Sequence, residues 1–382
     1  MFSLAILIGI YSYLIFGLGL LEILYKTNII LVTLIYGLAI FYIYKNKIKM
    51  NLFLYFKILK KFHGERFFFK KNNLFPIIAI FILILQGIIN LVGALGLELG
   101  FDALWYHLTI PKIYLQSHSV FNIPGGLLYY STMPKLTEML YVVGLALGSD
   151  IFAKLIHFSF GILTLIALYR LSRKFLSKTY SLLVLVLFYS NLVVGWMSIT
   201  AYIDLARTFF EIMALWGFVN WIERKEEKWL IVSAVLLGLA ISTKLLAVGS
   251  LLIFAILIII FTRRIFNVLT YCFCALLIPL PWFVFSYIHT ANPIYPFFTS
   301  IYPVKFNFNL INPLNLSDPI SPIYIIFLPI ALVLYRKFKL TLKIIALYSF
   351  FSIIIWYITP QTGGGRFILP YLPALSLVTV AI

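Results

Sequence analysis

The chain has 382 residues, of which 63% are hydrophobic and 11% charged, with a formal net charge of +18. A soluble domain is about 45–50% apolar and roughly 25% charged, so a single water-soluble globular fold is excluded. Disorder is excluded as well, because it requires low hydrophobicity.

The apolar residues run continuously instead of alternating, which argues against a β-barrel. They point to an all-α, polytopic integral membrane bundle, with helices near the length that spans about 30 Å of hydrocarbon. In chain order the apolar segments are 3–24, 29–44, 75–97, 151–169, 181–196, 203–222, 229–244, 248–261, 266–288, 323–335, 343–358 and 367–382, about twelve transmembrane helices. Several are short for a span and are expected to tilt or break. The first, from Met1 to Leu24, has no basic lead and no small-residue cleavage site, as expected of a retained helix and not of a signal peptide. The segment 136–149 is apolar but short, and is expected to lie at the outer membrane surface. The two cysteines, Cys272 and Cys274, stand two apart. That spacing puts them on different helix faces, so neither a metal pair nor a disulfide framework is expected. The chain ends at Ile382 inside an apolar run, as expected either of a helix that stops abruptly or of a longer protein.

The basic residues test this layout. They cluster in loops holding Lys45 to Lys71; Arg170, Arg173, Lys174 and Lys178; Arg224, Lys225 and Lys228; Arg263 and Arg264; and Arg336 to Lys343. Each loop follows an even-numbered segment, so the positive-inside rule places all of them, and the N-terminus, in the cytoplasm. The positive charge is then topological, and a nucleic-acid partner is not required. One single domain is expected, with two helices and a basic loop over 1–74 and a functional core over 75–382. Three polar, proline- or glycine-marked stretches fall on the opposite face: 98–135, 289–322 and 359–366. The middle one contains no arginine, only Lys305. Function concentrates in such loops when a rigid scaffold holds them.

Acidic residues number only twelve, so each carries information. Asp102 lies in Gly100-Phe101-Asp102-Ala103-Leu104-Trp105-Tyr106-His107, and a partly buried carboxylate there can act as a general base. His107, five residues on, can flank the same site if the segment is helical. Trp105 and Tyr106 suit a ring-stacking platform, or equally an aromatic belt beside a solvated Asp102. Glu98 reads more simply as a solvated helix end. Asp204 and Arg207 share a helix face at a spacing of three, as a pathway or as a structural ion pair. Lys244 and Arg366 are cations on the outer face, where topology supplies no reason for them. A bound phosphate would supply one, and snorkelling is the alternative. Lys154, His157 and Glu138 read first as packing or gating residues. The histidines lack metal-ligand spacing, and no P-loop or dinucleotide fingerprint occurs, so neither a metal nor a nucleotide-driven pump is expected.

These residues, with Pro134-Lys135-Leu136-Thr137-Glu138, Tyr202-Ile203-Asp204-Leu205-Ala206, Gly238 to Lys244, Asn292-Pro293-Ile294-Tyr295-Pro296 and Arg366-Phe367-Ile368-Leu369-Pro370, together resemble the GT-C superfamily of integral membrane glycosyltransferases. The resemblance is to its branch of RgtA/B/C/D-like, protein-mannosyltransferase-like and aminoarabinose-transferase-like enzymes. Two features depart from that pattern: Ala103 stands where a second acid often follows, and two extra spans precede the first outer loop. The resemblance implies a bacterial or archaeal cytoplasmic-membrane enzyme. Its donor would be a polyprenyl-phosphate-linked sugar, and its acceptor a hydroxyl of a lipid, glycan or protein. Asp102 would be the base of an inverting displacement. Lys244 and Arg366 would hold the leaving phosphate, and Trp105, Tyr106, His107, Asp204 and Glu138 the substrate. No cofactor is implied. A lipid-linked glycan transporter, or a polysaccharide ligase or polymerase, is the alternative reading.

Overall fold

The computed structural model describes residues 1–64, 74–301, 321–359 and 361–382, and every regular element among them is helical. The order is α1 (Phe2–Leu20), α2 (Lys26–Gly64), α3 (Leu74–Leu95), α4 (Thr109–Ser117), α5 (Leu136–Leu147), α6 (Asp150–Ser172), α7 (Lys178–Tyr189), α8 (Leu192–Ser198), α9 (Asp204–Arg224), α10 (Glu227–Thr243), α11 (Val248–Thr262), α12 (Ile265–Leu277), α13 (Leu280–Thr290), α14 (Pro322–Leu334), α15 (Leu340–Ile358) and α16 (Leu372–Ala381). The prolines and the lysine of the outer stretch between 302 and 320, Pro360, and the basic residues Arg66, Lys70 and Lys71 lie outside the described residues.

Six of these helices are long and apolar enough to cross a membrane, and two bent pairs raise the number to eight. The chain is therefore a multi-pass integral membrane protein. The expected count of about twelve crossings is not reached on length and apolarity. α9 carries Asp204, Arg207 and Glu211, α10 has 17 residues, α14 has 13 and α16 has 10. The bends have local causes. α12 and α13 meet at 62° around Pro279 and Pro281, which lack a backbone donor. α7 and α8 meet at 71° where the Asn191 side chain donates to the carbonyls of Leu187 and Phe188 at 2.7 and 3.1 Å, in competition with the helical ladder.

One further expectation is corrected. The basic stretch after the second segment is helical as far as Gly64, because lysine is a good helix former and neither glycine nor proline interrupts 46–63. The short helix α5 is covered by other helices. It packs against α1, α4 and α6, and Leu136 to Gly144 are all buried. α1 also packs on α5, α9 and α10, whereas α2 is largely uncovered over Lys26–Lys45.

The core is built around α9, which is buried on nearly all sides and packs against α6, α10 and the 3-10 segment Gln361–Tyr371. Close approach depends on small residues, as is usual between membrane helices. A Cβ on Gly217 would lie 3.2 Å from the Ser233 backbone of α10, and one on Gly238 would lie 2.5 Å from the Ala275 carbonyl of α12.

Two polar side chains, Lys154 and Glu98, fasten the chain where it leaves α3, and a third, His157, fastens the start of α9. Lys154 Nζ donates to the carbonyls of Gly93, Gly96 and Leu97 at 2.9–3.1 Å, and so satisfies the open C-terminal end of the helix. His157 bridges the Thr200 carbonyl and the Leu205 amide. Glu98 is buried, not solvated, and accepts from the amides of Leu99, Gly100 and Ala201. Glu98→Ala orphans three amides at about 1–3 kcal/mol each, so it should lower the thermal midpoint in detergent by many degrees. Glu98→Gln should recover part of that loss.

Candidate active site

The end of α3, the start of α9, the end of α10 and the segment before α16 meet at one end of the bundle. These are the ends that the loop charges assign to one face. Between them lies a cavity of about 240 Å³, lined among others by Asp102, Tyr106, His107, Glu138, Lys244 and Arg366.

Two ion pairs form its charged wall. Arg366 Nη1 donates to Asp102 Oδ2 at 2.6 Å, and Lys244 Nζ donates to Asp204 Oδ1 at 2.6 Å. Arg366 Nε lies 3.9 Å from Asp204 Oδ2, so one buried carboxylate faces both cations. The Asp102 side chain keeps 16% of its exposure and Asp204 only 1%. Asp204 is not part of the lining and stands behind it. Tyr202 stands behind this wall. Its hydroxyl accepts from the Asp102 amide at 3.2 Å, and its ring faces the Arg366 guanidinium at 4.9 Å, a cation–π contact.

Most of the remaining polar lining comes from residues 106–138. Residues Ala103–His107 form a π-helical turn, closed by the Leu108 amide on the Ala103 carbonyl at 2.9 Å. In an α-helix, at about 100° per residue, Asp102 and His107 would diverge. The wider turn brings residues five apart to one side, and both reach the cavity. His107 Nδ1 lies 2.9 Å from Glu138 Oε1, and Lys135 Nζ lies 3.8 Å from the same oxygen. Burial pushes the His107 imidazole down, against the opposing pull of Glu138. Burial also lowers the Lys135 ammonium, partly offset by Glu138. Burial alone would raise Glu138, but Lys135 and His107 outweigh it and hold the carboxyl below its ordinary range. Tyr106 stacks on Tyr130 with ring centroids 4.1 Å apart, and burial pushes its phenol up. Trp105 does not line the cavity. It packs edge-on against Tyr106, Tyr129 and Tyr130, behind the lining.

Six of the eight residues singled out from the sequence thus line one cavity, and Trp105 and Asp204 back it. Arg207 is a different case. It does not pair with Asp204 but with Glu211, Nε to Oε1 at 2.6 Å, because the four-residue spacing also shares a face and points into the bundle core. Lys135 and Tyr202 were not singled out. Lys135 carries the same signal as Lys244 and Arg366, a cation on the outer face.

Residues 134–287 match the family model of dolichyl-phosphate-mannose-protein mannosyltransferases. That span includes Lys135, Glu138, Asp204 and Lys244, and excludes Asp102 and Arg366. Comparison with curated proteins gives no match. Among solved structures, the fold matches crystal structures of ArnT from Cupriavidus metallidurans. The apo form matches at TM-score 0.61 and 15% identity, covering 79% of this chain and 58% of that one. The form bound to undecaprenyl phosphate matches at TM-score 0.61 and 16% identity, covering 79% and 59%. The chain shares the fold of these ArnT structures. It spans less than two thirds of the ArnT chains it resembles, and within that shared fold the cavity is assembled from both ends of the sequence, with Asp102 and Arg366 in direct contact.

The two aspartates should respond differently to neutralisation. Asp204→Asn leaves Lys244 and the neighbouring Arg366 without their buried counter-charge, at about 3–5 kcal/mol. Asp102→Asn, on the cavity surface, should leave the thermal midpoint close to that of the unaltered protein. Differential scanning fluorimetry of both variants in one detergent checks the contrast.

Proposed function

We propose that the protein is a membrane glycosyltransferase. It moves a sugar from a polyprenyl-phosphate-linked donor to an acceptor hydroxyl on the extracytoplasmic face, with inversion. The single observation that carries this reading is the pairing of a partly exposed carboxylate, Asp102, with the cation Arg366 in the lining of one cavity of a GT-C fold. The family match to dolichyl-phosphate-mannose-protein mannosyltransferases and the likeness to an ArnT that binds undecaprenyl phosphate support the lipid-phosphate donor. The acceptor is a lipid, glycan or protein hydroxyl. The basic loops and the N-terminus face the cytoplasm.

In this mechanism Asp102 takes the proton of the acceptor hydroxyl. The acceptor oxygen bonds to the anomeric carbon from the side opposite the phosphate. The bond between that carbon and the phosphate oxygen breaks, and its electron pair leaves with the lipid phosphate. Lys244 and Arg366 face the charge that develops there, in a site where water is scarce and such donors act strongly. Lys135 adds a third cation to the same cavity. Asp204 compensates Lys244 and Arg366 from behind. Tyr106, His107 and Glu138 form the sugar-facing wall, with Trp105 backing Tyr106.

The test is release of label from a panel of radiolabelled polyprenyl-phosphate sugars by purified protein in nanodiscs, with a crude lipid and glycan acceptor pool. One donor should be turned over. Asp102→Asn should fold normally and lose about 10²–10⁴-fold in rate, the usual contribution of a positioned base. Unchanged turnover by that variant would sink the base assignment. Retention of a lipid-linked sugar with movement between leaflets, and no release, would identify a transporter instead.

A further inference from the structure

Below the cavity lies a second group of ionisable side chains that the proposed reaction does not use. Arg207 and Glu211 on α9 are buried to 2% and 0% exposure. Their pair stays within one helix, yet their remaining hydrogen-bonding positions are taken by four other elements. Arg207 Nη2 donates to the Tyr371 hydroxyl at 3.1 Å and reaches the Leu246 carbonyl at 3.5 Å. Glu211 Oε2 accepts from Ser250 of α11 at 2.5 Å and from Tyr348 of α15 at 3.0 Å. The Ser250 hydroxyl also reaches that of Tyr371 at 3.3 Å.

We infer that Arg207, Glu211 and Tyr371 form a positioning cluster, which sets the placement of Lys244 and Arg366 in the cavity above. The inference rests on reading that cavity as a lipid-phosphate site. A plain structural pair would explain a helix orientation, but not which elements are tied. Leu246 is two residues from Lys244 and lines the cavity itself. Tyr371 closes the 3-10 segment that carries Arg366. Arg207 sits one turn below Asp204, the carboxylate that faces both cations. The segment Gln361–Tyr371 opens on Gly363-Gly364-Gly365, and glycine-rich 3-10 structure has little stability of its own. Its placement therefore depends on what it is tied to. A buried ion pair is also replaceable by apolar side chains of similar size with little loss of stability. Keeping a charged pair at this depth in a membrane bundle is better explained by a geometric task.

This separates the two roles by experiment. The double variant Arg207→Met/Glu211→Leu removes both charges and keeps the volume. Tyr371→Phe removes only the hydroxyl and serves if the double variant does not fold. Glu223→Gln, in the remote Lys174–Glu223 pair, is the control. Two readouts are taken in nanodiscs: amide hydrogen exchange along the chain, and binding of undecaprenyl phosphate as the probe.

Tyr371→Phe should keep a thermal midpoint near that of the unaltered protein, whereas the double variant, which leaves the hydroxyls of Ser250 and Tyr348 without Glu211, should lower it while still folding. Exchange should rise roughly tenfold or more at 244–247 and 365–371 and not elsewhere. Affinity for the probe should fall by about tenfold to a hundredfold, the loss that follows from small misplacement of binding groups. The control should change neither. Unaltered exchange and affinity in folded cluster variants overturn the inference, as does a loss of protection spread evenly over the bundle. If the unaltered protein does not bind the probe, the lipid-phosphate reading fails. The exchange pattern then still decides whether the cluster positions the two segments.

Discussion

The constraint on which this structure depends is the cost of charge inside a membrane bundle. An ionisable side chain there must meet a partner or a backbone carbonyl, and α9 carries three of them in two turns. Asp204, Arg207 and Glu211 cannot all be satisfied along the helix itself. Their partners come from α10, α11, α15 and the segment before α16. The central helix is thus the element least able to stand alone, and the one that dictates where its neighbours end.

The same demand builds the site. Asp102 and Arg366 are 264 residues apart in sequence and touch at one end of the bundle. Glu98 joins the end of α3 to the Ala201 amide across 103 residues, and His107 reaches Glu138 across 31. Each of these contacts neutralises a group that would otherwise be left buried and unpaired. Closing the bundle and assembling the cavity are one process. A residue can therefore matter to the chemistry through placement alone, as the Arg207 cluster illustrates.

Much of this was legible in the sequence. Each apolar segment is a helix or a bent pair, because a run of near twenty apolar residues in lipid has few other ways to satisfy its backbone. Asp102, Tyr106, His107, Glu138, Lys244 and Arg366 stood out because polar residues are scarce and these fall on one face. Depth was not legible. Nothing local distinguishes Asp102 from Asp204, yet one lines the cavity and the other stands behind it. The partner of Arg207 was equally hidden, since spacings of three and four both share a helix face, and only the neighbours of α9 decide between them. The π-helical turn that brings Asp102 and His107 together leaves no signature in residue type. Glu98 shows the same limit: as a helix end it reads as solvated, and packing of the 199–203 loop buries it.

Depth also decides which contact yields when a phosphate arrives. The site holds three cations, Lys135, Lys244 and Arg366, and three carboxylates, Asp102, Glu138 and Asp204. Each cation already faces a carboxylate, so in the proposed reaction an incoming anion competes with a carboxylate for one of them. Asp204 and Glu138 have side chains exposed by only 1% and 2%, and losing their cations would strand a buried charge. Asp102, at 16%, is the carboxylate that an acceptor hydroxyl or water can reach once its cation leaves. In the proposed reaction Arg366 would be the cation that turns toward the phosphate, and its departure would free Asp102 to take a proton. On that reading the exposure of one carboxylate would couple donor binding to the availability of the base.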